Sequence, residues 1–417
     1  DRLMSPSPTT EARIRFQMFS ALRYSNFRWF WLNGATQAMG QGMQFLTIGI
    51  LVLDSTDSSY QLGLVIFAYG VPNLAFSLVG GIIADRTDRL RLLVSTRVVE
   101  SGLILALAIL KLSGVMELWH VFAVSALLGT VQAINGPTRM ALVADLVDRK
   151  DLMNAVALHT MVNQSGQIIG PALAGGVIEI AGVGNALVAN AAMYLFGIAF
   201  LVLIKGLVAM PEAPKKAVIR ELREGLQCVR STPVLYTVIG LALAFTFFGM
   251  SYRQVLPAFT KEVLDVGAGG TGLLWLGAGL GSLLGSFLLA SLGDFKRKSW
   301  LLLASLLLLC VFLIAFAWSP WYWISWILFF FVGTMSTGLF WPLANTLVQL
   351  NVPSELRGRV LSILQIAPAI HFLSALPLAV AGGLVSWSIA VTGAALMVLL
   401  VTLLLGIWRP TLRRFEG

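Results

Sequence analysis

Only two of the 417 residues are cysteine, Cys228 in a charged linker and Cys310 deep in an apolar run, so no disulfide and no cysteine-built metal site is expected. The three histidines, His120, His159 and His371, are too scattered for a metal set, and neither metal nor cofactor is expected. Charge is sparse: 12% of residues are Asp, Glu, Lys or Arg, where soluble domains carry about a quarter. Paired acids and activated nucleophiles are missing, which removes the parts an integral membrane enzyme needs. The period-two alternation of a membrane β-barrel is missing too. A net charge of +9 would suit nucleic acid only on a soluble basic face, and none is evident. The first 26 residues lack the short apolar core of a signal peptide, and a chain that begins at Asp1 is expected to have a trimmed start.

What remains is apolar sequence, 57% of the chain, in runs of about twenty residues. Lipid gives the backbone no hydrogen-bond partners, so such runs must be helices. Twelve spans are expected: 27–53, 59–84, 92–112, 118–138, 154–180, 184–204, 233–256, 270–292, 299–318, 321–345, 360–384 and 387–408. An even number puts both termini on one side. If that side is the cytoplasm, all but four of the 29 lysines and arginines (Arg97, Lys111, Arg253 and Lys261) fall on it, as the positive-inside rule requires. The positive charge is then a topology signal and a contact for anionic lipid.

The chain repeats itself. Gly63, Gly70 and Asp85 correspond to Gly272, Gly279 and Asp294 at an offset of 209. Gly129-Thr130 corresponds to Gly333-Thr334 at 204, and Pro137 to Pro342 at 205. The expected organisation is a segment 1–26, a six-helix bundle 27–204, a linker 205–232, a second bundle 233–408 and a tail 409–417. Parallel repeats of this kind are related by an axis along the membrane normal. In the linker, Val218, Leu222, Leu226 and Val229 recur at helical spacing, which fits a helix on the membrane surface or a solvated linker helix.

Two loops carry the same charge pattern: Gly81-Ile82-Ile83-Ala84-Asp85-Arg86 with Arg89, and Asp294 with Lys298. The first resembles the signature loop of the major facilitator superfamily. The segments 145–158, 220–234 and 352–362 resemble the branch that contains the enterobactin exporter and macrolide-efflux proteins. The resemblance covers nearly the whole length. It implies an all-α integral membrane protein of twelve transmembrane helices in two pseudo-symmetric six-helix bundles, the major facilitator fold, in the cell or inner membrane. It also implies that Asp85, Arg86, Arg89, Asp294 and Lys298 act as gate elements. The alternative is that they only set topology.

Helix 5 carries Gly166-Gln167-Ile168-Ile169-Gly170-Pro171, which resembles the glycine-proline motif of antiporter-type exporters of that superfamily. Gly166 and Gly170, like Gly277 and Gly281 on helix 8, are four apart and permit close helix approach. Helices 5 and 8 are expected to meet through these four glycines. Simple close packing, without bearing on direction, is the other reading.

Polar stripes mark a candidate pathway. Asn33, Gln37, Gln41 and Gln44 share one face of helix 1, and His159, Asn163 and Gln167 one face of helix 5. Unpaired amides are costly in lipid, so these groups line a cavity or bond between helices. The expected substrate-cavity residues are Gln37, Gln41, Asn73, Asn163, Gln167 and His371. His371 lies eleven residues into helix 11 and can change charge near neutral pH, so it is a candidate for proton coupling or a hydrogen-bonded structural residue. Glu100, one turn from Arg97, is the other coupling candidate or half of a structural ion pair. Arg253 is expected at the outer end of helix 7, drawing in anions or reaching the headgroups. Trp318, Trp321, Trp323 and Trp326 read as an interfacial belt.

The function expected is proton-coupled, multidrug-type efflux of an amphipathic small molecule, drug or siderophore-like, by alternating access, with protons and membrane lipids as partners and a monomer as the working form. A lipid or lysophospholipid transporter, an uncoupled facilitator and a non-transporting receptor of the same fold are the alternatives.

Overall fold

The computed structural model describes residues 19–206, 218–292, 295, 297–353 and 356–407. Helices account for nearly all of them. In the N-terminal half they are α1 Ser25–Thr56, α2 Ser59–Arg86, α3 Arg89–Leu112 and α4 Leu118–Asp145. A helical run Leu152–Val202 follows, and Gly182, with φ 82° and ψ 167°, breaks it into α5 (152–181) and α6 (183–202). Only glycine adopts that backbone without strain. A linker helix, Val218–Ser231, leads to the C-terminal half. There the helices are α7 Pro233–Val263, α8 Ala268–Ser291, α9 Lys298–Ala317, α10 Tyr322–Asn351, α11 Arg357–Leu384 and α12 Trp387–Gly406. Among the described residues nine stretches are long and apolar enough to cross a membrane, with α5 and α6 counted as one. The helices α1 and α2, of 32 and 28 residues, pack among them.

Polar residues end the helices. Ser58 caps α2, Asp88 caps α3 by accepting from the Arg91 amide at 2.9 Å, and Ser386 caps α12. Asp57 closes α1 in the left-handed region at φ 48°, and Asp265 follows α7 at φ 52°. Aspartate tolerates that region better than most residues. The two tight turns are one feature of the repeat. They lie at the ends away from the chain's termini, here called the far side; the opposite side is the terminal side.

Outward faces carry large exposed apolar side chains along the helices, such as Phe287 at 71% and Val311 at 60%. In lipid that surface is solvated. Hydrophobic burial gives little drive for helices to associate there, so close backbone approach and polar contacts hold the bundle. The repeat sets where the approach occurs. Within the N-terminal half, Gly129 of α4 lies on the Tyr69 backbone of α2; within the other half, Gly333 of α10 lies on the Ala278 backbone of α8. Between the halves, Gly63 and Gly70 of α2 face Ala379 and Phe372 of α11, while Gly272 and Gly279 of α8 face Ala172 and Ile168 of α5. The two seams are the same contact made twice.

The helix 5–helix 8 expectation needs one correction. The helices do meet, but through Pro171, Ile168 and Gly175 on one and Gly272, Gly279 and Ala268 on the other. Gly166 and Gly170 instead let α1 approach at Ala38, Met39 and Gly42, and Gly277 and Gly281 take Trp326 and Phe330 of α10. Four-residue spacing shows that a helix can come close; it does not say which one.

The linker helix docks on the bundle through buried Val229, through Gly225 against Ile363 and Arg359, and through a Glu224–Arg359 ion pair. Of the four tryptophans, Trp318, Trp321 and Trp323 are exposed as a belt requires, whereas Trp326 packs on Gly277 and donates to the Leu273 carbonyl at 2.9 Å.

Candidate functional site: a polar cavity between the two halves

A cavity of about 820 Å³ lies between the halves. Its lining reaches Gln132–Met140 on the terminal half of α4 and Gly358, Leu361 and Ser362 in the first turns of α11, so it opens toward the terminal side. The far side is shut. Lys261 of α7 donates to Asp57 at 2.8 Å, Ser59 donates to Glu262, and Gly49 sits under Pro257. Below these contacts Phe45, Tyr69 and Phe372 form an aromatic roof, with ring centroids 5.0–5.3 Å apart.

The six expected cavity residues, Gln37, Gln41, Asn73, Asn163, Gln167 and His371, all lie on this one surface. They come from α1, α2, α5 and α11. The helix 1 stripe divides. Gln37 and Gln41 face the cavity, while Asn33 donates to the Gly197 carbonyl at 2.9 Å and Gln44 accepts from the Tyr194 hydroxyl at 2.9 Å, both inside the N-terminal half. The Asn163 amide nitrogen contacts His159 Nε2 at 3.0 Å and donates to the His159 carbonyl at 3.2 Å.

Glu100 is not on the cavity. It is buried, paired with Arg97, and accepts from Asn135 at 2.7 Å. Asn135 in turn accepts from Thr96 at 2.9 Å. This cluster sits between α3 and α4. Of the gate residues, Arg89 bonds Asp145 at 2.6 Å, which joins α3 to α4 within one half, and Arg86 is exposed at the end of α2. Lys298 opens α9. Asp294 and the side chain of Asp85 lie outside the described residues.

Two arginines emerge at the cavity that the reading of spans placed elsewhere. The expected span 118–138 stops one residue short of Arg139, but α4 runs on to Asp145. Arg139 is 5% exposed and donates through Nη1 to Asn33 at 2.9 Å and Gln37 at 2.6 Å. Arg253 was expected at the outer end of helix 7, drawing in anions or reaching the headgroups. Instead α7 passes through a π-turn at Phe245–Gly249, breaks at Met250–Ser251, and restarts at Tyr252. The break sets Arg253 on the cavity wall, stacked on Trp275 at 4.6 Å. Discontinuous helices commonly form binding sites in transporters.

Two equivalent helical halves around one polar cavity, closed at one end, define the architecture of a solute transporter. The chain belongs to the Major Facilitator Superfamily, whose sequence profile matches residues 30–375. It is 26% identical over 398 residues to the multidrug efflux pump Tap of Mycolicibacterium fortuitum, covering 91% of this chain and 95% of that protein. It is 24% identical over 329 residues to the enterobactin exporter EntS of Escherichia coli O1:K1 / APEC, with 76% of each covered. Two other bacterial relatives align over only 45% and 57% of their own length. A bacterial homologue of the human lysosomal transporter Spinster, in an inward-facing and unoccupied conformation, superposes with a TM-score of 0.73 at 14% identity, covering 93% of this chain and 98% of that one. That likeness concerns the fold.

Proposed function

We propose that this chain is a secondary active exporter in the cell membrane, moving an amphipathic small molecule outward by alternating access. The observation that carries the proposal is the cavity shared by both halves, open on the terminal side and shut on the far side by contacts between them. The surplus of Lys and Arg on the terminal side supports a cytoplasmic location for both ends. The substrate then enters from the cytoplasm, and rocking of units 27–204 and 233–408 exposes it outside. A wall of amides and aromatic rings suits a molecule with apolar bulk and scattered polar groups. The efflux pump and the exporter among the relatives support the direction.

Protons are the proposed coupling ion, with His371 as the carrier. It lines the cavity, so its proton and the substrate share one space, whereas Glu100 is sealed in an ion pair away from it. The test is flux of amphipathic dyes in proteoliposomes. With His371→Gln, flux driven by a pH gradient is expected to fall to background while counterflow at equal pH persists. If both persist, His371 is structural and the coupling reading fails.

A further inference from the structure

The cavity wall is unbalanced in charge. Its lining includes Arg139 and Arg253 and contains no Asp or Glu among the described residues. The nearest buried acid does not correct this, because Glu100 is already taken by Arg97 and Asn135. Arg253 comes from the first turn of the restarted half of α7. The repeat offers no precedent for the charge on α4, since the position equivalent to Arg139, at the offset of 205, is Ala344.

Donors just behind the wall are also left over. Arg139 uses Nη1 on Asn33 and Gln37, while Nε and Nη2 are buried without any partner. The Asn163 nitrogen that donates to the His159 carbonyl also faces His159 Nε2, so Nε2 accepts and Nδ1 carries the ring proton. Nδ1 has no partner either. It and Arg139 Nη2 turn toward buried Gly34 of α1, 3.8 Å and 3.3 Å from the place its Cβ would occupy, behind the lining rather than in the cavity. A guanidinium that reaches the cavity wall with donors to spare matches an oxyanion.

Resting on the reading of this cavity as the substrate site, we infer that the substrate is an organic anion: a carboxylate or phosphate group on an apolar or aromatic body. Arg139 receives the acidic group from the N-terminal half, Arg253 faces it from the other, and Phe45, Phe372 and Trp275 hold the body. The same chemistry fits a soluble carboxylate and an anionic lysolipid.

The test is equilibrium binding to the purified full chain in neutral detergent, with 2-naphthoate, 2-naphthylmethylammonium and lysophosphatidylglycerol as probes. Naphthoate is expected to bind at least tenfold more tightly than the ammonium compound. Arg139→Gln and Arg253→Gln are each expected to weaken it about tenfold, and Arg139→Lys less. Thermal melting identifies variants that fail to fold, and Arg253→Gln, at a half-buried position, stands in if Arg139→Gln does. Displacement of naphthoate by the lysolipid assigns a lipid source; its failure assigns a soluble anion, and either upholds the class. Equal binding of the anion and the cation, or unchanged binding in folded variants of both arginines, overturns it. Naphthoate binding without flux would count against transport and leave the anion site standing. Flux of dyes regardless of charge would do the reverse.

Discussion

A Cβ placed on Gly70 would come within 2.7 Å of the Phe372 Cβ, so α2 and α11 touch at a point only glycine allows. Gly279 stands in the same relation to Ile168 across the other seam. Both contacts link the two halves and neither belongs to the interior of one.

Bulk at Gly70 or Gly279 should therefore hold the halves apart without unfolding either. Overpacking costs about 1–3 kcal/mol, roughly five- to 150-fold in the ratio of closed to open far side. With Gly279→Leu, cysteine labelling from the far side should rise and the melting temperature should change little. Gly170→Leu should behave differently. Gly170 sits against α1 inside one half, so the loss should appear as lower stability. If the two variants behave alike, the division between seam and interior is wrong.

The Asp57–Lys261 pair should act as a latch on the far side. The Asp57 carboxyl is held below its usual range, first by the hydrogen bond from Lys261 and then by its charge. A lowered value means the pairing is complete above the free-carboxyl range, about pH 3.9, and fades as pH falls through the lowered value. Between about pH 5 and 8 the latch should not vary, so any pH dependence of transport there must arise elsewhere. Asp57→Asn should favour far-side labelling, and exchanging the two charges should restore closure. Unchanged labelling in Asp57→Asn would leave the pair without a role.

Amide contacts at the wall should be worth individual hydrogen bonds. Gln41→Ala should weaken ligand binding by about 0.5–1.5 kcal/mol, roughly two- to tenfold. Asn163→Ala should cost more, because it also frees the His159 ring. Titration of a bound ligand against both variants gives the comparison, and a smaller loss for Asn163→Ala would separate the two residues.

Removing Glu100 should be a stability lesion. Glu100→Gln leaves the Arg97 charge buried without its carboxylate, a loss of about 3–5 kcal/mol, visible as a large drop in melting temperature. A variant as stable as the parent with altered gradient dependence would return Glu100 to the list of coupling residues.

Much of this was legible in the chain. Apolar runs located the helices, Gly182 fell in an expected turn, and polar spacing singled out Gln37, Gln41, Asn163 and Gln167, which share a cavity. Spacing did not distinguish Gln41, which faces the cavity, from Gln44, whose oxygen is taken by Tyr194. Both arginines were misplaced for one reason. A charge near the end of a long apolar run reads as reaching the membrane surface, whereas the longer α4 and the broken α7 carry Arg139 and Arg253 to an internal surface. For Arg139 the signal that could have found it is length: six further residues of α4 follow it.

Each half presents the same two parts of a clasp, a glycine knuckle on its second helix and a bulkier ridge on its fifth. Knuckle meets ridge twice across the molecule, which is the geometry of an isologous interface. Two copies of a single half would thus dock as a twofold pair, self-complementary without any help from the linker. What one continuous chain adds is licence for the copies to differ. The clasp stayed alike on both sides, while one half placed its arginine on α4 and the other on a broken α7, so a symmetric machine came to enclose a lopsided chamber.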